Sequence, residues 1–482
     1  MTSLQTVHLR VNDAATGRPT PARIRLSDAS GRSYAPLGRM SAIDPSGDPL
    51  TGGQVVLNGE PFAYIDGTCE VRLPPGSLRV QISKGLEYLP IDRTIDLTAG
   101  KLSLRLNLER LVDWRLEGWY AGDLRVHDLS PHAALLEGRA EGLGVVQLLA
   151  RQTSRGISNM LAFSGNRECL HEEDSFVAVN TLNKHSFLGT VALLHSHRPV
   201  FPLLAGESGL EWSVLDWCEQ CHRKTGLVVW PDLPRCRETA LQGEALAAML
   251  LGQIDALEVA DLTSLEETLA LHARLLQLGL TPSLVGASGK DSWTQALGSV
   301  RTYARLLPEQ SLTADTWTEA VRQGRTFVTT GPLLSLAVAE QSPGGRLQVE
   351  AGTNLPIQAT AQSIQPFDRL QLLVDGEVQA ETSATGQPWS ARLQQSLRID
   401  RPTWIACRCV GTAFAQSNPV WVDVPGVARS VQAETTAFFR RILESTRQWV
   451  LGVDRPVEPR LVQHWLAVLH RAARVIEEGL RS

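Results

Sequence analysis

Gly226-Leu-Val-Val-Trp230, Ala256-Leu-Glu-Val259 and Pro282-Ser-Leu-Val285 are short apolar runs. Two stretches of helical periodicity separate them, Glu244–Leu251 and Leu265–Leu278, the second stopped by Gly279. Short apolar runs that alternate with helices read as buried parallel strands, because a parallel pairing needs a long crossover connection. The same rhythm extends upstream. Ser213–Lys224 reads as a helix with Ser213 as its N-cap, Val191–Leu194 and Val145–Leu149 as buried strands, His132–Gly142 as a helix and Trp119–His127 as a strand. So many units in series predict an irregular α/β barrel over residues 113–330, more than an open sheet.

The flanks read differently. Within residues 1–112, Val7–Val11, Ala22–Leu26, Cys69–Leu73, Leu78–Ile82 and Leu102–Leu108 alternate apolar with polar, which predicts an antiparallel sandwich. Strands return from about Thr326, and residues 331–426 read as a second sandwich, with Leu333–Val338, Leu370–Val374, Trp404–Val410 and Val420–Val424 among its strands. Residues 427–482 read as a helical hairpin, free to dock on the barrel or to form a dimer. Phe439/Leu443 and Leu461/Trp465/Leu469 lie at helical spacing, and Pro456 and Pro459 fall between the two stretches. The expected fold is therefore multidomain, α/β plus β.

The 482 residues are 43% hydrophobic and 20% charged, enough apolar material for several cores. Lys+Arg 46 against Asp+Glu 51 leaves a net charge of −5, with no basic field for nucleic acid. No apolar run approaches the roughly 20 residues of a membrane span, and no secretory signal opens the chain. A cytoplasmic protein acting on a small molecule is expected, with no nucleic-acid or membrane partner. Cys218-Glu-Gln-Cys221 has redox or zinc spacing, but it falls in a helical pattern with Val214 and reads as core packing.

Parallel α/β folds carry chemistry beyond the carboxyl ends of their strands. Trp119–His127 delivers Asp123, Arg125 and His127 there; Val191–Leu194 runs into His195 and His197; Leu227–Trp230 runs into Asp232; Glu258 and Asp291 follow. His195 and His197, two apart, are expected to converge on one ion. Arg125 is permanently cationic and does not ligate metal; with His127, Asp123 and Asp128 it suits an anionic group. His222 and Lys290 are further candidates, with Arg198, Arg301 and Tyr303 as substrate contacts. No nucleophile elbow and no phosphate-binding glycine loop is present.

Gly118-Trp-Tyr-Ala-Gly-Asp-Leu-Arg-Val-His127 resembles the Gly-Asp-Leu-His-x-His first barrel strand of the CehA/McbA-type metallohydrolases, within the polymerase-and-histidinol-phosphatase (PHP) superfamily. Similar segments follow in order to Gly324-Arg-Thr-Phe-Val-Thr-Thr-Gly-Pro332. The resemblance implies a seven-stranded PHP barrel, (β/α)7, in which divalent metal (Zn, Mn or Fe) activates water to cleave an ester, amide or phosphoester. By position it assigns ligand roles to His127, Glu258, Asp291 and Asp232, to which the strand-end reading adds His195 and His197. Arg125, His222, Lys290 and Arg301 would serve catalysis, and Arg198 and Tyr303 the substrate. The chain departs from the pattern at three places. Arg125 replaces the first His, Ala150-Arg-Gln152 stands where the family has Asp-His, and Ala287-Ser-Gly-Lys-Asp-Ser292 replaces Gly-Ser-Asp-x-His. A single metal ion, or none, is then expected. The alternative is an inactive barrel that binds a carbohydrate or a protein.

Overall fold

The structure is a computed structural model that describes residues 4–154, 156–206, 211–231, 243–260, 263–429, 431–452 and 457–478. It is a mixed α/β protein, rich in strands, with several sheets. The first of them hold the expected N-terminal sandwich core. Val7, Leu9, Val11, Ile24, Leu26, Val71, Leu78, Val80 and Ile82 pack between a three-stranded and a six-stranded sheet. The sandwich is not wholly antiparallel, since Gln5–Asp13 pairs parallel with Ser103–Leu108.

The central sheet contains β1 (Trp119–Val126), β2 (Val145–Ala150), β3 (Ser175–His185), β4 (Gly189–Leu194), β5 (Leu227–Trp230), β6 (Ala256–Val259) and β7 (Ser283–Gly286). β1, β2 and β3 pair in parallel, as do β5, β6 and β7. β4 runs against both β3 and β5. The expectation of a parallel strand at Val191–Leu194 is therefore corrected. Only Ser186, Phe187 and Leu188 join β3 to β4, and a connection that short permits a hairpin but no crossover. After β7 the chain returns to β1: Val126 bridges Lys290 in parallel, and the His127 N–H donates to the Lys290 carbonyl at 2.8 Å.

One face of these strands forms a continuous apolar cluster of Leu124, Val145, Leu149, Phe176, Ala178, Ala192, Leu194, Leu227, Val229, Ala256, Val285 and Ala287. Helices α1 (Pro131–Ala140), α2 (Val214–His222), α3 (Gly243–Leu250), α4 (Leu265–Gln277) and α5 (Ala314–Arg322) accompany the sheet. α5 is held by a capping box at Thr313 and sends Trp317 into the same cluster. The indole N–H donates to the Tyr120 carbonyl at 3.2 Å. A Cβ at Gly122 would sit 2.4 Å from that indole, so only glycine lets Trp317 close the amino end of β1.

The sheet does not stop at residue 330. Arg301–Arg305 pairs with β1 and with Thr326–Thr329, and the latter pairs with Ala415–Ser417 in the C-terminal region. There a three-stranded sheet, Leu333–Val338, Thr353–Ser363 and Trp389–Ile399, buries Leu336, Ile357 and Leu393 in one cluster with Leu372, Ile405 and Cys407. The last helices, α6 (Ala433–Leu451) and α7 (Pro459–Glu478), pack Phe439, Leu443, Trp465 and Leu469 with Trp217 of α2 and Leu246 of α3. Cys218 and Cys221 are buried in that core as free thiols, Cys221 pushed up to about 12 by burial, which suits packing and not redox chemistry. Among the described residues no helix is long and apolar enough to cross a membrane.

Candidate functional site

β1 carries an irregularity between Asp123 and Val126 in its pairing with β2. Asp123, fully buried, anchors it. Its carboxylate accepts the backbone N–H of Ser288 at 3.0 Å and of Gly298 at 2.7 Å, together with the Ser288 hydroxyl. This clamp ties the carboxyl end of β1 to the loop after β7. Burial raises the Asp123 pKa, and these hydrogen bonds oppose the rise.

Arg125 then meets Glu258 at the carboxyl end of β6. Arg125 Nε donates to Glu258 Oε1 at 2.8 Å, with side-chain exposures of 11% and 0%. Glu258 stands between Leu257 and Val259, where an uncompensated carboxylate would be costly; the guanidinium supplies the compensation. His127 is also buried. Its Nδ1 lies 3.2 Å from the Leu149 carbonyl, so Nδ1 carries the proton and Nε2 the lone pair. Burial, then the charges of Arg151 and Arg125, push His127 down to about 3. Its Nε2 has no hydrogen-bond partner among the described residues.

Arg151, immediately after β2, completes the group. Its guanidinium bonds Asp128 at 2.6 Å and Asp291 at 3.3 Å. Arg151 enters the sequence reading only as part of a departure from the family pattern. Its place directly beyond a buried strand is the signal that would have found it.

Several expected site residues lie elsewhere. Because β4 is reversed, His195 leaves it at the opposite end of the sheet, against α5. There its Nε2 lies 2.9 Å from Asp315, and its backbone has φ +63°. His222 sits 2.9 Å from Asp255, just before β6. His195 and His222 therefore do not join His127 and Glu258. His197 accepts a hydrogen bond from Arg198 Nε at 3.0 Å, with Arg198 exposed.

Lys290 is fully buried. Its Nζ donates to the Gln295 carbonyl at 2.7 Å and lies 3.5 Å from Glu137 of α1, which accepts Gly53 N–H from the N-terminal region. Arg301 is buried against the carbonyls of Gly298 and Glu141. Tyr303 is buried too, bonded to Glu87 and stacked on Phe327. The contacts of these three, for which catalytic and substrate roles were expected, are internal to the protein. Asp291 is exposed and engaged by Arg151. Asp232 lies outside the described residues.

The described donors do not fit a divalent metal. No group of three or more His, Cys, Asp or Glu is arranged to hold one among the described residues. Glu258 is bonded to a guanidinium, and the second arginine, Arg151, acts on His127. Two fixed positive charges oppose a third. The chain matches no protein-family model and no curated protein.

Proposed function

We propose that β1 to β7, joined by the Val126–Lys290 bridge, form a PHP-like barrel that has exchanged hydrolysis for binding. The observation that carries this is the 2.8 Å Arg125–Glu258 ion pair. It stands at the strand ends where the family resemblance expects metal ligands. A guanidinium there neutralises the carboxylate from within and leaves no vacancy for a metal-bound water. In this reading the chain is a carbohydrate- or protein-binding protein built on an enzyme's frame.

A second reading, a metal-dependent hydrolase of ester, amide or phosphoester bonds, is favoured by His127. Its neutral ring, with Nδ1 on a carbonyl and a lone pair on Nε2, is in the electronic state of a metal ligand. One imidazole does not make a site, and its neighbours oppose a cation.

Elemental analysis of the full chain, purified without chelator or affinity-tag metal, separates the two. The binding reading expects Zn, Mn and Fe well below one equivalent per chain, not restored by added divalent ions. A stoichiometric metal lost in Glu258→Gln, together with turnover of ester or phosphoester substrates, would overturn it.

A further inference from the structure

The three-stranded C-terminal sheet has one buried face and one open face. Residues Leu334, Leu336, Ile357, Ala359, Ala361, Ala391 and Leu393 face the core. On the open side the register sets Ser335, Thr360 and Arg392 side by side across the strands, with Gln362 and Ser390 in the adjacent rung, whose third member, Leu333, is buried. An open cleft of about 650 Å³ lies over these rungs. Trp114, Glu117, Thr382 and Ser383 also line it.

The chemistry of this face differs from that of two other exposed sheet surfaces in the molecule. Those two carry opposite charges across strands, Arg79–Asp92 at 2.7 Å and Arg369–Glu381 at 2.8 Å. Such pairs are the ordinary dress of a solvated sheet. Here hydroxyls and amides predominate, with Arg392 as the charged member of the rung. The side chains of Thr360, Gln362 and Arg392 make no hydrogen bond or ion pair among the described residues. Each hydroxyl or amide both donates and accepts, and Arg392 adds a fork of donors. A dense polar array of that kind, without net charge, matches a ligand that is itself a dense array of hydroxyls. It discriminates poorly in favour of an ion, since only Arg392 and Glu117 bring charge, of opposite sign.

We propose that this cleft binds a neutral oligosaccharide, lying across the Ser335–Thr360–Arg392 and Gln362–Ser390 rungs. The proposal names the ligand class for the binding reading above and rests on that reading. Its site is separate from Arg125 and Glu258, so metal content tests the barrel and glycan retention tests this face.

The experiment is native affinity electrophoresis of the full chain in gels containing hydroxyethylcellulose, galactomannan or mixed-linkage β-glucan, with polygalacturonate as a charged control. Retardation by at least one neutral polymer is expected. The Thr360→Ala/Gln362→Ala variant should weaken it about tenfold or more, as the loss of two hydrogen-bonding side chains implies. Both residues lie on the open face, so the variant should unfold with the parent; a Ser335→Ala/Arg392→Ala variant provides an independent second test. Absence of retardation by every neutral polymer would overturn the proposal. So would retardation that both variants leave intact, or retardation by polygalacturonate alone.

Discussion

The two ends of the central strands use the same residue types to different effect. At the carboxyl ends, Arg125, Glu258 and His127 are buried together, and the charges they carry are compensated inside the protein. At the amino ends, His195 and His222 each meet a carboxylate at 2.9 Å, with Asp315 65% exposed and the His222 side chain 28% exposed. An ion pair removed from water is expensive to break, whereas one in contact with water is nearly neutral. The difference teaches that a histidine near a strand end says little until the direction of the strand is known.

The largest expected effect comes from breaking the buried pair. Glu258→Ala should destabilise the protein by about 3–5 kcal/mol, because it strands the Arg125 charge. The double change Arg125→Met/Glu258→Leu should recover most of that loss. Chemical denaturation of the three proteins checks both statements. A single variant and a double variant of equal stability would mean that the pair contributes no mutual compensation.

Acid should act next, and oppositely at the two ends. The folded-state pKa of His127 is about 3, below the ordinary 6.5, so the unfolded chain binds the extra proton between those values. Stability is therefore lost as pH falls from about 6.5 toward 3. His127→Gln should flatten that part of the stability–pH curve. His272, buried and lowered to about 4, contributes in the same direction and remains in the variant as an internal reference. The His222 pKa is raised by its hydrogen bond to Asp255. Its contribution is present at low pH and fades as pH rises through the raised value. Thermal melts of His222→Gln across pH 5–8 should show the parent's advantage shrinking toward the alkaline side. An advantage that grows with pH would contradict the assigned pair.

The smallest effect is expected at Asp315. It is exposed, so Asp315→Ala should cost no more than about 1 kcal/mol, and less at high salt. A loss comparable to that of Glu258→Ala would erase the contrast between the two ends.

Much of this was legible in the chain. The alternation Leu227–Trp230, helix, Ala256–Val259, helix, Pro282–Val285 appears as β5, α3, β6, α4 and β7. Glu258, one carboxylate between Leu257 and Val259, announced that it needed a cationic partner or a metal, and the partner is Arg125. The C-terminal hairpin was legible as helices but not as to what it covers; Trp465 and Phe439 meet α2 and α3. Lys290 shows the reverse case. Its Gly-containing loop beyond a strand marks it as a candidate for the site, yet it is drawn inward by Glu137, a residue 153 positions earlier that no local pattern connects to it.

Sequence alone determined many of the strands and helices and which polar residues fall at their ends, because periodicity and turn chemistry are local. Tertiary structure decided which of those ends coincide. The missed strand Ser175–His185 and its short turn reverse β4, and that single reversal carries His195 away from His127. Whether a buried carboxylate is met by a metal or by an arginine is likewise settled by neighbours distant in the chain, since electrostatic compensation acts through space and leaves no periodic trace in the sequence.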